Sequence, residues 1–355
     1  MSATRHDLDP DPAAPASPSE AKATWTHVLA VCVGLTALLC LLVIAFAWPA
    51  TQLAPRALPI VVAGPTEATG QVSAALDKAA PGGFAVTVVA DEAAARATIE
   101  RRDAYGAIVL SPTPTVLTAA AASPVVAQLL TQLAPTLEAR QPGAAPPAVR
   151  VVDVVPLPAA DPRGAGLAAL ALPLVLGGLA VGAALTTAVV GVGRRVVGVV
   201  LTAALAGLAL TGIAQSWLGV LDGGWWAEAG VIALGIAAVG LTLVGLEALF
   251  GFAGLGLGAA VVMLIGNPFS GMTSAPEMLP SGWSALGQWL PPGATGTLLR
   301  SVAFFDGAGG TRALWILAGW VVLGLALAAL GSRRRGGGGR HEESVGAPVR
   351  PVAPA

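Results

Sequence analysis

Residues 229–266 read AGVIALGIAAVGLTLVGLEALFGFAGLGLGAAVVMLIG, and Glu247 is the only ionisable side chain among them. As one helix the run would be about 57 Å long, nearly twice a hydrocarbon core of about 30 Å. One crossing is therefore too few, and two short spans with a tight turn between Glu247 and Gly254 fit the length. Working outward, uncharged runs of span length lie at 23–55 (apolar centre 28–47), 164–193, 196–221 and 313–332, which makes six spans. Composition agrees. Of 355 residues 55% are hydrophobic and 11% charged, against about 25% charged in soluble domains. The chain reads as an α-helical integral membrane protein whose first partner is the lipid bilayer.

Orientation follows from short basic flanks, which stay on the cytoplasmic side. Arg5 and Lys22 precede the first span, Arg194 and Arg195 sit between the second and third, and Arg333, Arg334, Arg335 and Arg340 follow the last. All three clusters share a side only when the span count is even and both termini are cytoplasmic. Trp25, Trp48, Trp217, Trp225, Trp226 and Trp315 fall at span ends, the headgroup level that indole rings prefer, while Trp320 lies within a span. Ala45-Phe46-Ala47 resembles a signal cleavage site, but about 20 apolar residues behind an acidic leader describe a retained span better. The leader 1–24 and the tail 333–355 are too polar and Pro- or Gly-rich to fold and are expected to be disordered. Arginine outnumbers lysine 17 to 2 beside abundant Ala, Gly and Pro, as in GC-rich bacterial coding sequences; the expected location is a bacterial cytoplasmic membrane.

Residues 50–163 form the one long polar insert. Strand-like runs at 58–62, 84–89, 104–110 and 149–155 alternate with helix-like runs at 67–79, 91–102 and 125–138, Asp91 being placed as an N-cap. Such alternation implies a small α/β domain with a mostly parallel sheet, here extracytoplasmic. Ligands of open parallel sheets sit beyond the carboxyl ends of the strands, so Gly64, Thr66, Asp91 and Ser111 are candidate ligand contacts; helix capping explains the same residues. Residues 281–290 and 295–305, separated by Pro291-Pro292-Gly293, each gather apolar side chains on one face. They read as two outer amphipathic helices on the membrane surface carrying Trp283, Trp289 and Arg300, or else as an ordered loop packed on the spans.

Several chemistries are excluded. The two lysines follow Ala21 and Asp77, so no Gly-Lys-Ser/Thr phosphate loop exists. His6, His27 and His341 cannot assemble a metal or catalytic set within the chain. Cys32 and Cys40 stand about 12 Å apart on one helix, beyond disulfide reach. No enzyme activity and no cofactor are expected, and a net charge of −1 argues against a nucleic-acid partner. Glu247 is either a turn residue or an intramembrane functional carboxylate, the latter costing about 3 kcal/mol or more. Gly254 and Gly258 form a GxxxG pair suited to intramolecular helix packing or to a homodimer face.

Two stretches carry a family resemblance: Asp91-Glu92-Ala93-Ala94 leading to Tyr105-Gly106-Ala107-Ile108-Val109, and Asn267-Pro268-Phe269-Ser270-Gly271 leading through Pro276-Glu277-Met278-Leu279-Pro280 to Trp283, Leu290-Pro291 and Arg300. With one span, an α/β insert and five further spans, the layout over 25–332 resembles ABC-2-type membrane proteins, in the branch similar to phage-infection proteins. The resemblance implies a dimeric permease that exports hydrophobic or amphiphilic substrates with a separate ATP-binding subunit. The turn 191–195 is shorter than the segment through which such permeases dock their ATPase. A non-transporting cell-surface receptor or scaffold, its α/β domain binding a ligand or a protein, is the alternative.

Overall fold

The computed structural model describes residues 25–138 and 149–342. The leader 1–24 and the tail beyond 342 lie outside the described residues. The first helix, α1 (Trp25–Thr51), is strongly apolar, with no acidic side chain in its first turn and no basic one in its last.

A five-stranded sheet follows in the chain, formed by β1 (Leu58–Ala63), β2 (Phe84–Val89), β3 (Gly106–Val109), β4 (Thr115–Thr118) and β5 (Arg150–Asp153). Its order is β2-β1-β3-β4-β5. β1 pairs in parallel with β2 (Leu58 opposite Phe84) and with β3 (Val61 opposite Ala107), and β4 runs antiparallel to β3 and parallel to β5. β4 is missing from the expected strands because it is four residues long and stands directly behind Pro112 and Pro114. α2 (Thr66–Ala79), α3 (Glu92–Glu100) and α4 (Pro124–Glu138) cover the sheet. Strand alternation divides the core. Val61, Ala63, Ala107 and Leu117 pack with Ile99 of α3 on one face, and Leu58, Ile60, Ile108 and Val116 pack with Leu76 and Leu130 of α2 and α4 on the other.

Asp91 caps α3 as the sequence implies, its Oδ1 accepting from the Ala94 N–H at 2.8 Å. Asp91→Ala is expected to destabilise the sheet region by about 1 kcal/mol without altering the helices beyond it. Denaturant unfolding followed through a probe in that region checks this, and a loss near zero would mean that the cap is idle.

Four more helices are long and apolar enough to cross a membrane: α5 (Ala165–Ala188), α6 (Val192–Thr211, continued as a π-helical turn to Trp217), α7 (Trp225–Phe250) and, after three shorter helices, α11 (Thr311–Glu342). With α1 that makes five among the described residues, and the chain is a multi-pass membrane protein. α11 continues ten residues into the stretch 333–355 expected to be disordered. α7 is buried on nearly every side, against α5, α6 and α11, as a helix apolar all round must be.

The expected sixth span falls short. Gly251, with φ of 68° and ψ of −156°, ends α7 in a backbone conformation open essentially to glycine. α8 (Phe252–Val261) then folds back along α7 and ends in a π-helical turn at Gly266. Its apolar run of 15 residues covers about 22 Å, less than a bilayer core. So the long apolar run does break near Glu247, but into one full-length helix and one short one.

The two outer helices also differ from the surface pair expected. α9 (Trp283–Trp289) keeps exposed apolar side chains, but α10 (Pro291–Phe304) begins on the proline pair and is buried almost throughout. Thr295 of α10 lies against Gly235, ten residues into α7, whereas Val302 and Ala303 lie against Gly223 just before α7 begins. The α9–α10 junction therefore dips about 15 Å along α7, forming a re-entrant hairpin. Non-helical backbone at that depth is tolerated where protein surrounds it and its polar groups are satisfied. Leu290, Pro291 and Pro292 are buried, and the Trp320 indole N–H donates to the Trp289 carbonyl at 2.8 Å. That bond explains the one tryptophan that the sequence places inside a span.

Candidate functional site

The site begins at a strained residue. α3 ends at Glu100, and Arg102 occupies the left-handed region at φ 61°, where glycine is usual after a helix and another residue costs roughly 1–2 kcal/mol. The guanidinium of Arg102 donates to the Thr297 carbonyl of α10 at 3.0 Å and to the Ser301 hydroxyl, and it lies 5.2 Å from the centre of the Phe305 ring. Three residues on, at the entry to β3, the Tyr105 hydroxyl donates to Glu277 Oε2 at 2.7 Å. Glu277 sits on a single 3-10 turn, Pro276–Met278. The Gln288 side chain accepts from the Thr297 hydroxyl at 2.7 Å and donates to the Ser270 carbonyl at 2.8 Å.

Arg102, Tyr105, Glu277, Gln288 and Thr297 line a cavity of about 370 Å³ that Arg312, at the start of α11, also borders. Burial lifts the Tyr105 hydroxyl far above the ordinary tyrosine range, and the neighbouring Glu277 carboxylate lifts it further. Tyr105 therefore stays a neutral hydrogen-bond donor across the working pH range. Burial lowers Arg102, with Tyr105 and Glu277 acting the other way, and arginine retains its charge at neutral pH. The chamber thus presents two guanidinium groups, one carboxylate and neutral donors.

Beside the chamber runs a second space, an apolar groove of about 660 Å³ between α9 and α11, walled by Leu286, Trp289, Trp315, Trp320 and Leu323. Arg312 and Ile316 border both spaces, and the Arg312 guanidinium lies 5.3 Å from the centre of the Trp289 ring. A molecule with a polar head and an apolar body meets matching surfaces on either side of Arg312.

The residues singled out from sequence fall in several places. Glu247 is no isolated intramembrane carboxylate: it lies in the last turn of α7, buried, and forms an ion pair with Arg195 in the first turn of α6. Arg195 also donates through Nε to the Val189 carbonyl just past α5, at 2.7 Å, so one side chain ties three helix ends together. Gly254 and Gly258 face the chain's own α7, since a Cβ on either would meet Leu246, and they give α8 its close approach to that helix. Trp283 stacks on Phe269 with ring centres 4.8 Å apart, and Trp289 walls the groove. Arg300 is buried at 4% exposure instead of lying on a surface helix.

The four loop residues serve the backbone. Gly64 takes a φ of 140° against Leu110, Thr66 opens α2, Asp91 caps α3, and the Ser111 hydroxyl donates to the Thr113 carbonyl at 2.6 Å. The chamber opens instead at the amino ends of β1 and β3, beside Pro59 and Ala104, because the re-entrant hairpin packs against that end of the sheet. Sequence reasoning missed Arg102, Gln288, Thr297 and Arg312 as site residues. Tyr105 and Glu277 belonged to the two stretches that carry the family resemblance, which was the one signal available; that they meet across 172 positions is visible only in the fold.

Comparison of the chain with known protein families, with curated proteins and with solved structures gives no match.

Proposed function

We propose that the chain is a permease-like subunit of an ABC-2-type exporter in a bacterial cytoplasmic membrane, moving a hydrophobic or amphiphilic substrate while a separate ATP-binding subunit hydrolyses ATP. The observation that carries this reading is the polar chamber joined to an apolar groove through Arg312. Charge placement supports the orientation. Arg195 lies beside Glu247, and Gly331, two residues before Arg333, lies against Ala248; these groups mark one end of the bundle, and the chamber marks the other. Basic residues gathered at one end are cytoplasmic by the charge rule; on this reading both termini are inside and the sheet is outside, with five long helices and α8 as a short return between α7 and the hairpin.

One observation favours the receptor reading. Only residues 189–191 separate α5 from α6, and Gly251 alone separates α7 from α8. Among the described residues, the loops at that face then offer little backbone for an ATPase to grip. Reconstitution decides: a permease stimulates the hydrolysis of its purified ATPase partner and moves the amphiphile between compartments, while a receptor binds the amphiphile and does neither.

Binding itself is testable without the partner. A brominated single-chain amphiphile with an anionic head is expected to quench the groove tryptophans saturably, and Arg312→Glu to weaken that binding roughly tenfold, the worth of one charge-assisted hydrogen bond. Equal quenching curves for the two proteins would remove the groove from the pathway.

A further inference from the structure

Arg300 is a buried cation without a counter-charge. It lies on α10, outside the five long apolar helices, and among the described residues no carboxylate approaches within 4 Å of it. One N–H group donates to the Met272 carbonyl at 2.9 Å, and Nε is buried with no hydrogen-bond partner. The nearby charge is unhelpful: burial lowers Arg300 to about 10, and the repulsion of Arg102 contributes in the same direction. The group stays protonated at neutral pH. Removing one partner of a buried ion pair typically costs 3–5 kcal/mol, and Arg300 stands in that condition unless an anion joins it.

The surroundings supply a place for one. Arg300 lines a cavity of about 130 Å³ with Arg163, Thr273 and the first residues of α4 and α5, Pro124 and Ala165. The amino end of α4 adds positive potential to the two guanidinium groups. The neighbouring acids already have partners, Asp161 at the first turn of α5. Asp161 Oδ2 accepts from the Gly166 and Leu167 N–H groups at 2.8 and 3.3 Å, Asp153 Oδ1 accepts from the Ala120 N–H at 3.0 Å, and Glu277 takes the Tyr105 hydroxyl. A cavity of about 130 Å³ has room for one small oxyanion.

We propose that this cavity binds a small free oxyanion, of the phosphate or carboxylate class, between Arg300 and Arg163. The site is separate from the chamber and groove, and it stands whether or not the chain transports anything. Occupancy ties α10 to α4 and α5, so the anion is a structural ligand of the junction between the sheet and the long helices.

The test is thermal unfolding of the purified full chain at neutral pH, titrated with inorganic phosphate, acetate or chloride at matched ionic strength. Phosphate or acetate is expected to raise the melting temperature saturably, as any ligand of the native state does, with chloride well behind. Arg300→Gln is expected to abolish the response. Should that variant not fold, Arg163→Gln, altered at an exposed position, is expected to raise the half-saturating concentration roughly tenfold. Vesicles with and without phosphatidylglycerol form a third arm. Three results would each overturn the proposal: no excess of oxyanion over chloride, identical titrations for the parent and Arg163→Gln, or stabilisation by the anionic lipid alone.

Discussion

Gly235→Leu is expected to expel the re-entrant hairpin from the bundle. A Cβ at position 235 already collides with the Thr295 side chain, so the three further carbons of leucine have no volume to enter. Overpacking typically costs about 1–3 kcal/mol, and the upper end applies because both neighbours are backbone-anchored helices. Two measurements check it. The melting temperature of the detergent-solubilised protein should fall. In a background of Cys32→Ser and Cys40→Ser, a Leu290→Cys thiol should resist alkylation in the parent and react readily once Gly235→Leu is added. Ready alkylation in the parent would mean that the α9–α10 junction lies at the surface, as the sequence had implied, and both the chamber and the groove would lose their wall.

Glu247→Leu separates a structural carboxylate from a transporting one. It leaves Arg195 buried and uncompensated, and losses of about 3–5 kcal/mol follow when one member of a buried pair is removed. The double variant Arg195→Met with Glu247→Leu should recover most of that loss, since apolar groups of similar volume replace buried ion pairs at little cost. A proton- or ion-coupling role makes the opposite prediction: the double variant would fold and still fail wherever Glu247→Gln fails in transport. Stability of the single and double variants in detergent, followed by reconstituted transport, distinguishes the two. Full stability in Glu247→Leu alone would contradict the ion pair itself.

The two outcomes bear on different parts of the functional proposal. The hairpin sets the outer chamber, where Arg102, Tyr105 and Arg312 meet residues from α9 and α10. The Arg195 and Glu247 pair sets the opposite end, where any energy-coupling partner has to act. A chain with an intact outer site and a closed inner end would bind amphiphiles as a receptor does. A chain whose inner pair opens when an ATPase binds would transport them.

Local pattern determined much of this architecture. Apolar runs of about 20 residues between charged flanks require helices in lipid whatever packs against them, so 165–188, 192–217, 225–250 and 311–334 were legible as apolar helices to within a few residues. Apolar runs of strand length and β-branched content marked β1, β2, β3 and β5 beside their helices, and Asp91 announced the start of α3. Depth was not legible. The apolar faces of α9 and α10 satisfy a membrane surface and a protein interior equally well, and only Gly235, Thr295 and the Trp320 bond to the Trp289 carbonyl show that this pair enters the bundle. The same holds for the site. Tyr105 finds Glu277 across 172 positions because a mixed sheet and a re-entrant hairpin converge on one point. No period or spacing in a linear chain encodes which distant backbone a side chain will meet; close packing in three dimensions decides that.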